Sequence, residues 1–335
     1  MGKIFLTGAS GYIGGDLLHL LSKSHPHYRI RVLVRDAAKG EAIKRSFGQV
    51  QIVNGGLDDT ELIAREAVGA DVVVHLAAAS HLKSVQTIHQ ALPDKASGEK
   101  SQYWIQISEA SVLAMPELAN PLRSSGSAGD NVYDDLSGIE SIQSLIRQHL
   151  SRTAVVIPPI IYGQGRGPVN KRSIQIPELA KLTLQLGKGL QVGAGLSRWG
   201  NVHIQDLSQL IIRMVERAVA EVDDGNTWGS SGLYFTGVGE LSFREISRRI
   251  TAAAYNLKLL PSQEIERVSG AEADTLLPHG NILYETNAHA RGYRAEKALG
   301  WTPQRESLEN EIPRVVAEEA YLLGLKRGNS PIAKP

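Results

Sequence analysis

The chain has 335 residues, a near-balanced charge (36 Lys and Arg against 35 Asp and Glu) and no cysteine. That length suits one large α/β domain or two moderate ones, and the balance points to neither a polyanion nor an acidic membrane surface. The missing thiols exclude disulfides, thiolate metal sites and cysteine nucleophiles.

No apolar run reaches the about 18 residues of a membrane span, and no leader or cleavage site is recognisable before the first apolar run. The expectation is a cytoplasmic protein that acts on a small molecule as a monomer or homodimer, without membrane or nucleic acid.

Apolar runs of strand length alternate with helical patterns through the first half. KIFLTG (3–8) leads to a helix over 14–22, RIRVLVR (29–35) to one near 38–46, and QVQIVNGG (49–56) to TELIAREAV (60–68). DVVVHLAAA (71–79) precedes a helix near 82–92, and YWIQIS (103–108) and TAVVIPPIIYG (153–163) follow. Such Val- and Ile-rich runs, separated by helices, predict parallel strands buried on both faces and joined by right-handed crossovers. The fold expected is α/β, a doubly wound parallel-sheet Rossmann domain.

The stretch 116–131, rich in Ser, Gly, Asn and Pro, reads as a loop. Beyond Gly163 helices are expected near 177–187, 242–255, 262–276 and 307–323. The predicted organisation is a dinucleotide-binding domain over 1–165, with a return to the main sheet near 201–220. A smaller, mostly helical substrate region takes 166–200 and 221–330.

Gly8-Ala9-Ser10-Gly11-Tyr12-Ile13-Gly14 joins the first strand to the first helix. In that context Gly8 permits a tight turn, Gly11 admits a pyrophosphate close to backbone, and Gly14 lets helix and strand pack closely. The second strand ends at Val34-Arg35-Asp36, where the ribose is read. An aspartate there suits the 2′-hydroxyl of NAD, and an arginine suits the 2′-phosphate of NADP. Arg35 comes first, with Lys39 and Lys44 behind it, so NADP(H) is expected, with Asp36 as the competing signal.

These motifs and those that follow resemble the extended short-chain dehydrogenase/reductase family, the NAD(P)-dependent epimerase/dehydratase group, in an atypical form similar to uncharacterised fungal members. Thr7 to Gly14 is similar to its TGxxGxxG turn. Leu57-Asp58 stands where the family sets an aspartate on the adenine amine. HLAAASH (75–81) resembles its strand-four motif, which implies that Leu76, Ala77 and Ala78, with Ala79, flank ribose and nicotinamide. PPIIYGQG (158–165) is similar to RPxxVYGPG with Pro158 in place of the arginine, and sets Pro159 and Ile161 on the other side of the nicotinamide. NVHIQDLSQ (201–209) and RAEKALGWTPQRESLENEI (294–312) are similar to its later elements. The strand-two VRD also resembles dihydroflavonol reductases.

The family's chemistry uses Ser or Thr, Tyr and Lys, the last two as YxxxK on one helical face, where the cation makes tyrosinate accessible. Here the best-placed tyrosine, Tyr133, has Ser137 at the lysine position. Ser137 to Glu140 has the form of a capping box, so a helix is expected to begin after Tyr133. Asp134 and Asp135 oppose a tyrosinate. A reduction needs only a phenol that donates, so the departure harms epimerisation more than reduction.

Tyr133 is therefore either a proton donor or an aromatic packed on the cofactor domain. Ser108 with Ser111 and Glu109, or His81 with Lys83, are the other candidates for catalysis. His75 reads as a structural histidine beneath the cofactor, and His203 and Asp206 as residues that order the substrate region. Arg166, Lys171 and Arg172 stand where an anionic substrate could be met. No spacing proposes a metal site. The expected function is an NADP(H)-dependent reductase of a small carbonyl-type molecule. A silent NADP(H) sensor and a non-redox isomerase or cyclase on the same scaffold remain the alternatives.

Overall fold

The computed structural model describes residues 1–92, 101–136, 152–223 and 225–325. The first half alternates β1 (Lys3–Thr7), α1 (Tyr12–Ser24), β2 (Arg29–Val34), α2 (Ala37–Ser46), β3 (Gln51–Asn54), α3 (Thr60–Val68), β4 (Val72–His75), α4 (Leu82–Ala91) and β5 (Tyr103–Ile107). Every residue of β4 and β5 is buried, as parallel strands covered on both faces must be. Helix α5 (Met115–Leu118) and strand β6 (Tyr133–Asp134) precede β7 (Thr153–Ile157), which returns to the main sheet.

The apolar run 153–163 divides. Pro158 and Pro159 lack the N–H groups that would continue the ladder, so β7 stops and β8 (Ile160–Tyr162) enters a second sheet. Helix α6 (Gln175–Leu186), β9 (Gly189–Val192), β10 (Arg198–His203) and α7 (Ile204–Val219) follow, then β11 (Leu233–Phe235) and β12 (Gly239–Ser242). Beyond them lie α8 (Phe243–Asn256), β13 (Ile265–Val268), α9 (Gly270–Leu276), α10 (Gly280–Leu283), β14 (Ala290–Arg291), α11 (Arg294–Leu299) and α12 (Leu308–Leu322).

The main sheet has seven strands in the order β11-β7-β5-β4-β1-β2-β3, with every neighbouring pair parallel. Its chain direction of travel reverses between β1 and β4, which opens the crevice where such sheets bind ligands. One face packs Leu17, Leu18 and Leu21 of α1 with Leu207, Ile211 and Met214 of α7. The other packs Ile63 and Ala67 of α3 with Ile88 of α4.

Three segments depart from the sequence expectation. The return near 201–220 brings α7 onto the main sheet's helical layer, but β10 pairs with β8 and β12 instead of joining that sheet. The seventh main strand, β11, comes from the stretch assigned to the substrate region. The helix expected over 262–276 is a strand, β13, and then a shorter helix whose N-terminus Ser269 and Glu272 close in a capping box. A separate core beneath β8 to β10 joins α6, α8 and α12 through Leu179, Phe243, Ile246 and Ile312. No described helix is long and apolar enough to cross a membrane.

Candidate cofactor and substrate site

The turn after β1 sits at the sheet's reversal point. Gly8 has φ +78°, and a Cβ there would meet the Leu76 carbonyl carbon and oxygen at 2.6 Å. A Cβ on Gly14 would stand 2.2 Å from the Gly8 carbonyl oxygen, so only glycine lets α1 approach the turn this closely. On Gly11 it would meet one atom, the Gly8 oxygen at 3.1 Å, and otherwise face open space.

Gly11 is also the N-cap of α1 and supplies no side-chain cap, and the first turn carries no acidic residue. The opening N–H groups of the helix are thus left for an anion. Gly8, Ser10, Gly11, Tyr12, Ile13 and Gly14 accordingly form a cradle that fits a pyrophosphate.

The turn is fastened from outside. The Tyr12 hydroxyl donates to the Gly163 carbonyl at 2.5 Å. Arg166 donates to buried Asp16 from Nε at 2.9 Å, Nη2 at 2.7 Å and its backbone N–H at 2.9 Å, and Ser208 Oγ adds a fourth donor at 2.7 Å. Burial pushes the Asp16 carboxyl up, but these hydrogen bonds and the guanidinium charge hold it below the usual range. Arg172 lies between Glu178 at 2.6 Å and Glu319 at 2.7 Å. Arg166 and Arg172 therefore hold the loop together, and only Lys171 of the three cations is exposed without an ion pair to a described residue.

At the end of β2 the neighbours Arg35 and Asp36 behave differently. The Asp36 carboxylate caps α2 by accepting from the Lys39 N–H at 3.0 Å. Arg35 is exposed and has no hydrogen bond or ion pair among the described residues. Lys44 donates to the Gly48 and Val50 carbonyls, at 2.7 and 2.9 Å.

Asp58 is 81 % exposed and faces His81 Nε2 at 3.5 Å and Lys83 Nζ at 3.8 Å. The other ring nitrogen of His81 caps α4 by accepting from the Ser84 N–H at 3.2 Å. Both ends of that imidazole are engaged beside the residue that the resemblance assigns to adenine. Leu57, Leu76, Ala77 and Ala78 border the same crevice at the ends of β3 and β4, and Pro159 and Ile161 lie at the β7–β8 break.

Ser108 follows β5 and donates its N–H to the Val156 carbonyl at 2.8 Å, while its hydroxyl has no partner among the described residues. Tyr133 lies on β6, in register with Ala290 of β14. Its half-buried ring packs against the second core, and it borders a cleft of about 480 Å³ with Leu113, Glu117, Arg123 and Asn287. Ser137 and the expected capping box lie outside the described residues. Asp135 turns away from the cleft and accepts from the Phe235, Tyr293 and Arg294 N–H groups at 3.1, 2.9 and 3.1 Å.

His203 caps α7, accepting from the Gln205 N–H at 3.1 Å, and meets the Tyr162 ring edge-on. Asp206 accepts from the Gln304 and Arg305 N–H groups, both at 3.0 Å. One pair escaped the sequence reading. His289 is 7 % exposed, and its Nδ1 lies 2.9 Å from Glu240 Oε2. The two are 49 positions apart and belong to no motif, so no linear signal joins them.

A family of NAD(P)H-binding domains matches residues 8–130. The oxidase ucsJ of an Acremonium species is 35 % identical over 96 % of this chain and 99 % of its own length. An uncharacterized protein of Saccharomyces cerevisiae is 24 % identical over 92 % of this chain and 97 % of its own. Among solved structures, a dTDP-glucose 4,6-dehydratase from Streptomyces venezuelae with NAD and TYD bound has a TM-score of 0.65 at 18 % identity, covering 96 % and 97 % of the two chains. That of Bacillus anthracis in complex with NAD has 0.64 at 16 %, covering 95 % and 96 %. The solved structures share the fold, and the chain carries an NAD(P)-binding, oxidoreductase-type scaffold. With the glycine cradle at the sheet's reversal point and a full-length relative at this identity, the chain belongs to the extended short-chain dehydrogenase/reductase family, the NAD(P)-dependent epimerase/dehydratase group.

Proposed function

We propose that the protein is an NADP(H)-dependent oxidoreductase that reduces a small carbonyl-type organic molecule. The observation that carries the choice of cofactor is the division of labour at the end of β2. Asp36, the residue that would accept from a ribose 2′-hydroxyl, is committed to the cap of α2, and Arg35 is exposed beside it without a partner among the described residues. A guanidinium in that position suits a 2′-phosphate, which it grips in a bidentate way. The pyrophosphate then lies on Gly8 to Gly14 and the adenine near Leu57 and Asp58. The nicotinamide lies between Leu76 to Ala79 and Pro159 to Ile161, within the 1–165 unit.

The substrate takes the cleft beside Tyr133, and the hydroxyls of Tyr133 and of Ser108, at the end of β5, are the candidates to hold its oxygen. His81 is the weaker candidate because both of its ring nitrogens are engaged. Reduction is favoured over epimerisation because Ser137, at the family's lysine position, cannot supply the cation that sustains a tyrosinate.

A fluorescence titration of the purified protein with NADPH and NADH tests the cofactor. Tighter binding of NADH would sink the 2′-phosphate reading. NADPH oxidation in a broad panel of aldehydes and ketones tests the reaction, and firm NADPH binding with no turnover would favour a sensor.

A further inference from the structure

The amino ends of β1 and β2, opposite the end that carries the glycine turn, gather positive charge on one face of the sheet. Lys3 of β1 and Arg29 of β2 are register partners, and Arg31 stands two residues beyond Arg29. Register partners on adjacent strands share a face, and a strand returns to that face every second residue. The face is the one covered by α3 and α4, because Phe5, the register partner of Arg31, packs there with Ile63, Ala67 and Ile88. Arg65, in the last turn of α3, brings a fourth cation to the same place.

These charges are only partly offset. Buried Glu66 takes Arg31 in a bidentate way, from Nε at 2.5 Å and Nη2 at 2.9 Å, and lies 3.7 Å from Arg65 Nε. Asp71 accepts from the Lys3 backbone N–H at 2.9 Å. The Lys3 and Arg29 side chains are exposed and have no ion pair among the described residues. Four cations thus stand against two carboxylates, in a chain whose net charge is +1. Like charges directly opposite on neighbouring strands are destabilising, so their retention here calls for a counter-charge.

The same side chains wall a hollow of about 540 Å³, which Gly69 and Ala70 border after α3. That volume lies within the range of small-ligand sites and exceeds a lone phosphate. Strand β1 is five residues long, so the hollow lies roughly 13 Å along the strand from the glycine turn.

We propose that this hollow is a second anion site, for a small phosphorylated molecule, separate from the dinucleotide cradle. Phosphate is the class that fits. The three guanidiniums offer paired N–H donors to its oxygens, and the surplus of two positive charges matches a phosphate dianion. Glu66 holds the Arg31 guanidinium in place, while Lys3 and Arg29 close on the anion, which relieves their mutual repulsion. The space left over takes the organic part of the ligand. The proposal goes beyond the reductase reading and does not depend on it.

Inorganic pyrophosphate is the probe, and Gly11→Val is the host protein, so that the cradle does not compete. Calorimetric titration at fixed ionic strength should find one site per chain. Lys3→Gln and Arg29→Gln together should weaken it by about tenfold or more, whereas Arg29→Lys, which keeps the charge, should weaken it less. Both side chains are exposed, so the circular dichroism of the double variant should match that of its host. At low salt without the anion, the double variant should have a higher thermal midpoint than its host, and pyrophosphate should raise the midpoint of the host alone. Absence of binding in the host, unchanged affinity in the double variant, or equal stabilisation by sodium chloride at matched ionic strength would overturn the proposal. Sedimentation with phosphatidic acid vesicles, lost in the double variant, would assign the hollow to a lipid headgroup and overturn the small-molecule ligand.

Discussion

Thr7 Oγ1 lies 2.7 Å from His75 Nδ1, a hydrogen bond between the ends of β1 and β4 that forms the floor of the glycine turn. Both side chains are fully buried. Burial, and then the neighbouring His81, lowers His75 to about 4. The unfolded chain, where histidine titrates near 6.5, takes up the proton first as pH falls. Stability from the neutral imidazole is therefore full above about pH 6.5 and is lost progressively down to about pH 4, by on the order of 3 kcal/mol. Urea midpoints measured across that window should fall with pH in the wild type and fall less in His75→Gln. Equal slopes in the two proteins would assign the loss to other groups.

Asp16 acts at lower pH. Its carboxyl is held below the usual range, so its contribution is complete above about pH 4 and disappears as pH drops through the depressed value. Asp16→Asn leaves Arg166 facing an uncharged partner in a mostly buried site, and should cost about 3 kcal/mol at neutral pH. Chemical denaturation of the variant measures this, and the acid sensitivity below pH 4 should shrink with it.

The two later glycines of the turn should separate binding from folding. Gly11→Val adds bulk mostly into open space and should leave the fold intact while lowering dinucleotide affinity at least tenfold, an effect of about 1.4 kcal/mol. Gly14→Ala drives a methyl group against the Gly8 carbonyl and should lower the thermal midpoint. Full dinucleotide affinity in Gly11→Val would remove the pyrophosphate assignment.

Arg35→Ala should weaken NADPH by about 1.5–3 kcal/mol, the scale of a charge-assisted hydrogen bond, and NADH far less. Asp36→Ala removes a helix cap and should cost about 1 kcal/mol of stability, with NADH affinity nearly unchanged. A large loss of NADH affinity in Asp36→Ala would mean that the aspartate leaves the cap to meet the ribose.

Tyr133→Phe deletes a hydroxyl that has no partner among the described residues, so stability should change little. If the hydroxyl only holds the substrate oxygen, turnover should fall about threefold to tenfold, the size of one neutral hydrogen bond. A loss of about 10³-fold would make this tyrosine the proton donor.

The amino-acid sequence by itself determined the features written in local pattern. The Val- and Ile-rich runs and their intervening helices dictated the parallel sheet, because strands covered on both faces must be apolar throughout. The spacing of Gly8, Gly11 and Gly14 dictated the turn, because backbone close to backbone leaves no space for a Cβ at Gly8 and Gly14, while Gly11 faces the open space between them. What passes between distant positions was decided only on folding. Whether Asp36 would serve a ribose or cap its own helix depended on where α2 begins, and Arg166 reads as a substrate contact until Asp16, 150 positions away, takes it. The two prolines at 158 and 159 lie in plain view, yet the second sheet they open could be seen only once β10 arrived beside β8, with β12 on its far edge. The pairing of Glu240 with His289 depends on three strands from separate parts of the chain. Side-chain partners of that kind have no period and no fixed spacing, so tertiary packing alone brings them together.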